Sequence, residues 1–126
     1  MKDREPRTAP APELRVCRVG IPLADVEAGR ADARDDAFLA AERVRRPGVP
    51  LRTLAGRVAA RHALNELAGR ADRGLDAWEI ASEPDGAPRV VRAPDGRPED
   101  WRVSISHSRT TAWALAARIE PEARPS

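Results

Sequence analysis

The segment LAGRVAARHALNELAG, residues 54–69, constrains the fold more than any other stretch, because it is the clearest helical pattern in the chain. We expect Thr53 to cap its first turn and Gly69 to end it. A helix of this length must bury its apolar face against another element. The apolar positions that recur at helical spacing are Ala60, Ala63, Leu64, Leu67 and Ala71.

The surface for that helix to pack against is predicted to be a β-sheet. Before the helix, residues 14–23 give an alternating strand pattern, although Pro22 confines that point to a sheet edge or a strand end. The pattern predicts an α+β fold, in which a mostly antiparallel sheet packs against one long helix. The strand-like segments that follow the helix, with the turn sequences EPDGAP and APDGRPED among them, are 77–82, 88–93, 101–108 and 110–119.

A second, shorter helix and two terminal tails complete the predicted organisation. The segment DDAFLAAERVRR should form that helix, with Asp35 or Asp36 as its N-cap and Pro47 just past its end. Residues 1–13 and 120–126 have the proline and charge content of tails. The predicted folded domain therefore spans residues 14–119.

Composition excludes several classes of function. The 22 basic and 20 acidic residues leave a formal net charge of +2, and the arginines are interleaved with Asp and Glu. One Phe, three Trp and no Tyr provide few platforms for stacked bases. The sequence has no run of about 18 apolar residues to span a membrane and no secretory signal. We predict a cytoplasmic protein that binds neither nucleic acid nor membrane, with Cys17 as a small apolar side chain in a reducing compartment.

Five pieces of the sequence resemble one protein family in their order and spacing. They are Gly20-Ile21 with Leu23 and ADVE, then LAGRVAARHAL, Trp78-Glu79-Ile80, DGAPRV and VSISHS. Together they cover about residues 16–118, and they resemble the holo-acyl-carrier-protein synthase type of 4′-phosphopantetheinyl transferase. The resemblance implies an enzyme of fatty acid or polyketide biosynthesis that uses Mg²⁺ to move phosphopantetheine from coenzyme A to a serine of an acyl carrier protein.

The resemblance also implies a homotrimer with an active site at each subunit interface. The composition gives self-association a physical motive, because a core built from Ala, Val, Leu and Ile with few aromatic residues is thin. In this family the helix near Arg43, Arg45 and Arg46 faces an acidic carrier protein, so these arginines are docking candidates.

The family's catalytic centre is replaced in this sequence. The resemblance places a metal-binding aspartate where Pro22 stands and a metal-binding glutamate where His62 stands. The family's lysine at the position of Glu66 has changed sign. Pro22 has no side-chain oxygen to offer a hard cation. We therefore expect no metal site and no requirement for Mg²⁺.

The family's contacts to coenzyme A are better kept. Arg57 stands where the family's arginine approaches the cofactor, and His107 stands where its histidine reaches a phosphate of coenzyme A. Arg61 replaces a family lysine. These three residues are the candidate cofactor-binding residues, and the expected ligand is coenzyme A or a pantetheine-type molecule.

The pair His62 and Glu66 allows three interpretations. It could be a solvated helix face, since the row Leu54, Val58, His62, Glu66 begins apolar and should place His62 at the rim of the core. It could hold a metal such as zinc if Asp25 or Glu27 supplied a third ligand. It could also act as a metal-free acid–base pair, because histidine titrates near neutral pH. His62 and Glu66 are accordingly the candidate catalytic residues.

Three functional hypotheses follow. The first, which we favour, is a divergent family member that keeps a coenzyme A or pantetheine pocket and uses it for binding or for metal-free tailoring of a carrier-linked intermediate. The second is an active transferase with a rebuilt metal site, and the third is a non-catalytic assembly partner. The first hypothesis predicts that Arg57, His62, Glu66 and His107 converge on one pocket.

Overall fold

A three-stranded antiparallel sheet and one long helix form the centre of the computed structural model, which describes residues 14–27 and 33–119. The predicted tails, 1–13 and 120–126, lie outside the described residues. In chain order the elements are β1 (Leu14–Pro22), α1 (Leu23–Glu27), α2 (Ala33–Arg45), α3 (Leu51–Leu67), β2 (Glu79–Ser82), β3 (Pro88–Arg92), a 3₁₀ turn (Pro98–Asp100), β4 (Trp101–His107) and β5 (Thr111–Ile119).

The five strands divide into two sheets rather than one. Strands β1, β5 and β4 pair antiparallel in that order, and β2 and β3 form a separate hairpin. The turn of the hairpin contains Gly86 with a φ of +90°, which a residue with a side chain rarely adopts. Pro22 ends β1, which is an edge strand, so the missing amide hydrogen of Pro22 interrupts no central ladder.

The core lies between α3 and the inner face of the three-stranded sheet. Ala60 and Ala63 of α3 pack near Ala114 and Ala116 of β5, and all four are buried. Small side chains on both elements make a thin core, as the composition predicts. The largest members of this core are Trp78 and Trp101, whose rings meet edge to face with centroids 4.9 Å apart.

The ends of both long helices differ from the predictions. Helix α3 begins at Leu51 with the extended residue Pro50 as its N-cap, so Thr53 lies inside the first turn and caps nothing. The reason is that Pro50 already has the backbone geometry of a cap, and its carbonyl oxygen accepts the Leu54 amide at 3.1 Å. Helix α2 begins at Ala33, so Asp35 and Asp36 lie within it and not before it.

The predicted end of α3 is confirmed at Gly69. Its φ of +71° carries the chain out of the helix, and its amide donates to the Glu66 carbonyl at 3.2 Å. The Arg70 amide donates back to the Asn65 carbonyl at 2.8 Å, which completes a Schellman motif. Because the helix stops at Leu67, Ala71 is exposed and does not extend the apolar stripe as we had predicted.

The outer face of the three-stranded sheet exposes several apolar side chains beside the polar residues Arg18, Arg102 and Ser104. The strand register places Leu14 opposite Ile119 and Val16 opposite Ala117, with Leu115 on the same face. Leu14 is 66% exposed, Val16 57%, Leu115 45% and Ile119 38%. We call these four residues and Ala117 the outer sheet patch. No helix in the described part of the chain is long and apolar enough to cross a membrane.

Candidate functional site

His107 lies at the N-terminal turns of α3, although it belongs to the last position of β4. Its Nε2 is 3.1 Å from the carbonyl oxygen of Arg52. A carbonyl oxygen only accepts, so Nε2 carries the hydrogen and Nδ1 is the second ring nitrogen available to a ligand. The close approach depends on Gly56, where a Cβ atom would stand 3.3 Å from His107 Nε2 and 2.7 Å from Ile105 Cγ2. The histidine ring is exposed beside the positive end of a long helix, a place that favours anions.

Arg57 follows Gly56 on α3 and is directed toward α2. Its Nη1 is 3.7 Å from Glu42 Oε1. Burial lowers the pKa of the Arg57 guanidinium, the nearby Arg46 lowers it further, and the Glu42 carboxylate opposes both effects. Arg57 is therefore a partly buried cation at the same level of α3 as His107.

Arg61 is a buried cation between α3 and α2. Its Nη1 donates to the Arg57 carbonyl oxygen at 3.1 Å, and its guanidinium lies over the Phe38 ring at 4.3 Å. Burial is the main cause that lowers the pKa of Arg61 to about 10, and the Glu42 carboxylate acts in the opposite direction. These contacts are sufficient to explain Arg61 as a structural residue, and its predicted role in cofactor binding stays a prediction.

Glu42 is the residue of this region that sequence analysis did not single out. It is 2% exposed, and Oε2 lies 3.5 Å from Arg45 Nη1. Within the described part of the chain, its Oε1 makes no hydrogen bond. Glu42 lines a cleft of about 710 Å³ between α2 and the base of the β2–β3 hairpin, together with Phe38, Arg61 and Trp78. A signal was present in the sequence, because Glu42 follows Leu39 by three residues and so falls on the buried face of α2.

His62 and Glu66 lie on the side of α3 that faces β1. His62 is half-buried and Glu66 is exposed, so the prediction that His62 sits at the rim of the core is confirmed. Glu66 lies close enough to β1 to affect Cys17. Burial raises the pKa of the Cys17 thiol, and the Glu66 carboxylate raises it further. The acid–base role predicted for the pair stays a prediction.

In a single chain the four residues that we expected in one pocket lie in different places. Arg57 and Glu66 are nine residues apart on α3, which at 3.6 residues per turn puts them on opposite sides of the helix. Glu66 is also ten residues beyond Gly56, the contact of His107, or about 15 Å along the helix axis. Arg57 and His107 share one end of the helix, and the pair His62 and Glu66 forms a separate group.

Solved structures of other proteins share this arrangement of elements. The holo-acyl-carrier-protein synthase of Helicobacter pylori, in complex with coenzyme A, matches with a TM-score of 0.63 and 17% identity over 81% of this chain and 97% of that one. The chain has the holo-acyl-carrier-protein synthase fold. The holo-acyl-carrier-protein synthase of Bacillus anthracis str. Ames, in complex with CoA (3′,5′-ADP), matches with a TM-score of 0.65 and 21% identity over 84% of this chain and 96% of that one.

The holo-acyl-carrier-protein synthase of Plasmodium yoelii agrees, with a TM-score of 0.60 and 12% identity over 86% of this chain and 98% of that one. The predicted α+β fold and its resemblance to this family of structures are therefore confirmed. No protein-family model matches the chain, and no curated protein matches it by sequence.

The Mg²⁺ that the sequence resemblance implies does not suit the residues at the positions that the resemblance assigns to its ligands. Pro22 offers no side-chain donor, and His62 offers a ring nitrogen where Mg²⁺ prefers oxygen. Within residues 14–27 and 33–119, no group of three or more His, Cys, Asp and Glu side chains could hold a metal ion. The expectation that the protein works without Mg²⁺ stays a prediction.

Proposed function

We propose that the protein is a divergent 4′-phosphopantetheinyl-transferase-like protein that binds coenzyme A or a pantetheine-type ligand without Mg²⁺-dependent transfer. The observation that carries the proposal is that His107 and Arg57 share the N-terminal end of α3: His107 lies against Gly56 and the Arg52 carbonyl, and Arg57 is the next residue of the helix. A helix N-terminus, an arginine and a histidine together suit the phosphates of coenzyme A. The solved structures of this fold from Helicobacter pylori and Bacillus anthracis, which are complexes with coenzyme A and CoA (3′,5′-ADP), support the same ligand class.

The replaced donor set argues against phosphopantetheine transfer as the reaction. A hard divalent cation needs several oxygen ligands to hold it against a pyrophosphate, and Pro22 and His62 supply none. Without a metal, His62 and Glu66 still offer the groups for proton transfer, because a carboxylate can orient a nearby imidazole. We therefore propose binding or metal-free tailoring of a carrier-linked intermediate, in fatty acid, polyketide or related biosynthesis.

The proposed partners are further copies of the chain and an acyl carrier protein. The outer sheet patch offers an apolar surface for a homotrimer, the assembly implied by the resemblance. Arg43, Arg45 and Arg46 are exposed at the end of α2, where an acidic carrier protein could approach them.

The transfer reaction is tested by mass spectrometry. We expect no phosphopantetheine mass increase on an apo acyl carrier protein incubated with this protein, coenzyme A and Mg²⁺. A mass increase that a chelator abolishes would replace this proposal with the active transferase that rebuilds its metal site.

Ligand binding is tested separately, by thermal shift with coenzyme A. We expect Arg57→Ala and His107→Ala to lose the shift, whereas Arg89→Ala, at an exposed arginine that pairs with Glu83 on the hairpin, should keep it. An unchanged shift in both Arg57→Ala and His107→Ala would mean that coenzyme A does not use this end of α3. No shift with the unsubstituted protein would favour the assembly partner.

A further inference from the structure

Glu42 brings a negative charge into the middle of the arginines that join α2 to α3. Its two carboxylate oxygens lie 3.5 Å from Arg45 Nη1 and 3.7 Å from Arg57 Nη1. Arg61 lines the same cleft as Glu42 and is also electrostatically coupled to it. A carboxylate in this position partly cancels the charge that an anionic ligand of Arg57 would meet.

The contacts of Glu42 supply charge without fixing geometry. A carboxylate that orients an arginine does so through short, often paired hydrogen bonds. Glu42 Oε1 makes no hydrogen bond to the described residues, and its distance to Arg57 is longer than a charge-assisted hydrogen bond. The guanidinium of Arg57 is therefore attracted by Glu42 but not aligned by it. Removing the negative charge should free Arg57 for a ligand more than it disturbs the position of Arg57.

We propose that Glu42 is an internal counter-charge that lowers the affinity of the Arg57 and His107 end of α3 for phosphate-bearing ligands. Glu42 acts on a ligand only through its charge near Arg57, so it is not a catalytic residue. The inference rests on the proposed function, because it concerns the same anion site. It adds that a buried carboxylate on α2 weakens the binding of anions at this site.

The test compares Glu42→Gln with Glu83→Gln by calorimetric titration with coenzyme A and, separately, with inorganic pyrophosphate. Gln keeps the shape of the buried side chain and removes its charge. Glu83 pairs with Arg89 at 2.8 Å at the turn of the hairpin, whereas the cleft lies at the base of the hairpin, so Glu83→Gln makes the same change in net charge outside the cleft. We expect Glu42→Gln to bind both anions about three- to tenfold more tightly at low salt, with the gain shrinking as salt is raised.

A second readout separates this effect from a structural one. Loss of the buried carboxylate leaves the surrounding arginines less well compensated, so we expect Glu42→Gln to melt at a lower temperature while it binds anions more tightly. A merely structural role would lower stability and affinity together. If Glu42→Gln does not fold, Glu42→Met fills the same buried space without a polar atom and makes the same charge change.

Each outcome decides the proposal. Unchanged or weaker anion binding in the folded Glu42 variant overturns it, as does an equal gain in Glu83→Gln. Tighter binding of pyrophosphate with no binding of coenzyme A by either protein would support the role of Glu42 and reject the proposed ligand. No binding of either anion by any of the proteins rejects both.

Discussion

At the scale of single residues, the Cys17 thiol of β1 lies near the face of α3 that carries His62 and Glu66, and the Glu66 carboxylate affects the pKa of this thiol. Cys17 is half-buried on β1, and burial is the main cause of its raised pKa, with the Glu66 carboxylate as the second cause. Both effects disfavour the thiolate, which is the form that reacts with alkylating reagents. The alkylation rate of Cys17 therefore tests whether the Glu66 carboxylate lies close to β1.

We expect Glu66→Gln to speed the alkylation of Cys17 by iodoacetamide about two- to threefold at pH 8, because losing the carboxylate lowers the pKa of the thiol. The rate is measured by intact-mass spectrometry over time. Glu79→Gln, which changes net charge equally on the distant hairpin, serves as the control and should react like the unsubstituted protein. Equal alkylation rates in all three proteins would show that the Glu66 carboxylate does not affect the Cys17 thiol.

Residues at the site differ in how far sequence could place them. The row Leu54, Val58, His62, Glu66 was placed correctly from core to solvent, because helical spacing fixes which side of a helix faces the interior. Glu42 was missed, although its spacing from Leu39 marks a buried position. Periodicity identifies the buried face of α2, but two of the arginines that compensate the buried carboxylate, Arg57 and Arg61, lie on another helix.

At the scale of elements, Asn65 connects α3 to the chain that leads into β2. This fully buried amide accepts a hydrogen bond from Trp78 Nε1 at 2.7 Å. It also donates to the carbonyl oxygens of Arg73 and Gly74 at 3.2 and 3.1 Å. One side chain thus satisfies three buried or partly buried polar groups of a segment with no regular structure, and it fixes where the hairpin begins.

We expect Asn65→Ala to lower the free energy of unfolding by about 3 kcal/mol, because it leaves the Trp78 indole and two carbonyl groups without their partner. Urea denaturation followed by tryptophan fluorescence and by circular dichroism measures the loss. Glu66→Ala changes the next residue of the same helix, which is exposed, and should stay within about 0.5 kcal/mol of the unsubstituted protein. A similar small effect of Asn65→Ala would mean that water replaces the amide at little cost.

Elements were predicted in kind and order, but their ends and pairing were not. The two longer helices and five strands follow the sequence patterns closely. The start of α3 differs because Pro50 takes the cap position that Thr53 was expected to fill. The division into two sheets was also missed, because alternation of apolar residues indicates a strand without naming its neighbour.

At the scale of the whole molecule, the described residues cover one face of the three-stranded sheet with α3 and leave apolar side chains exposed on the other face. Helix α3 packs on the inner face, whereas the outer sheet patch presents large apolar side chains on two adjacent strands. Exposed apolar patches of this kind mark surfaces at which proteins bind partners. A thin alanine-rich core adds a reason to bury the patch, because further apolar burial adds to stability.

We therefore expect the protein to sediment as a trimer at micromolar concentration and Leu115→Glu to sediment as a folded monomer. Leu115 lies inside the outer sheet patch and is already 45% exposed in the single chain, so a carboxylate there should disturb the fold of one chain little. In a trimer built on this patch, the same substitution would bury three carboxylates without partners, which is strongly unfavourable. Ala40→Glu on the exposed side of α2 adds the same charge away from the sheet and should leave the trimer intact.

Sedimentation velocity measures assembly, and circular dichroism confirms that each variant is folded. A folded, monomeric unsubstituted protein, or a Leu115→Glu variant that remains trimeric, would show that the outer sheet patch does not hold the copies together.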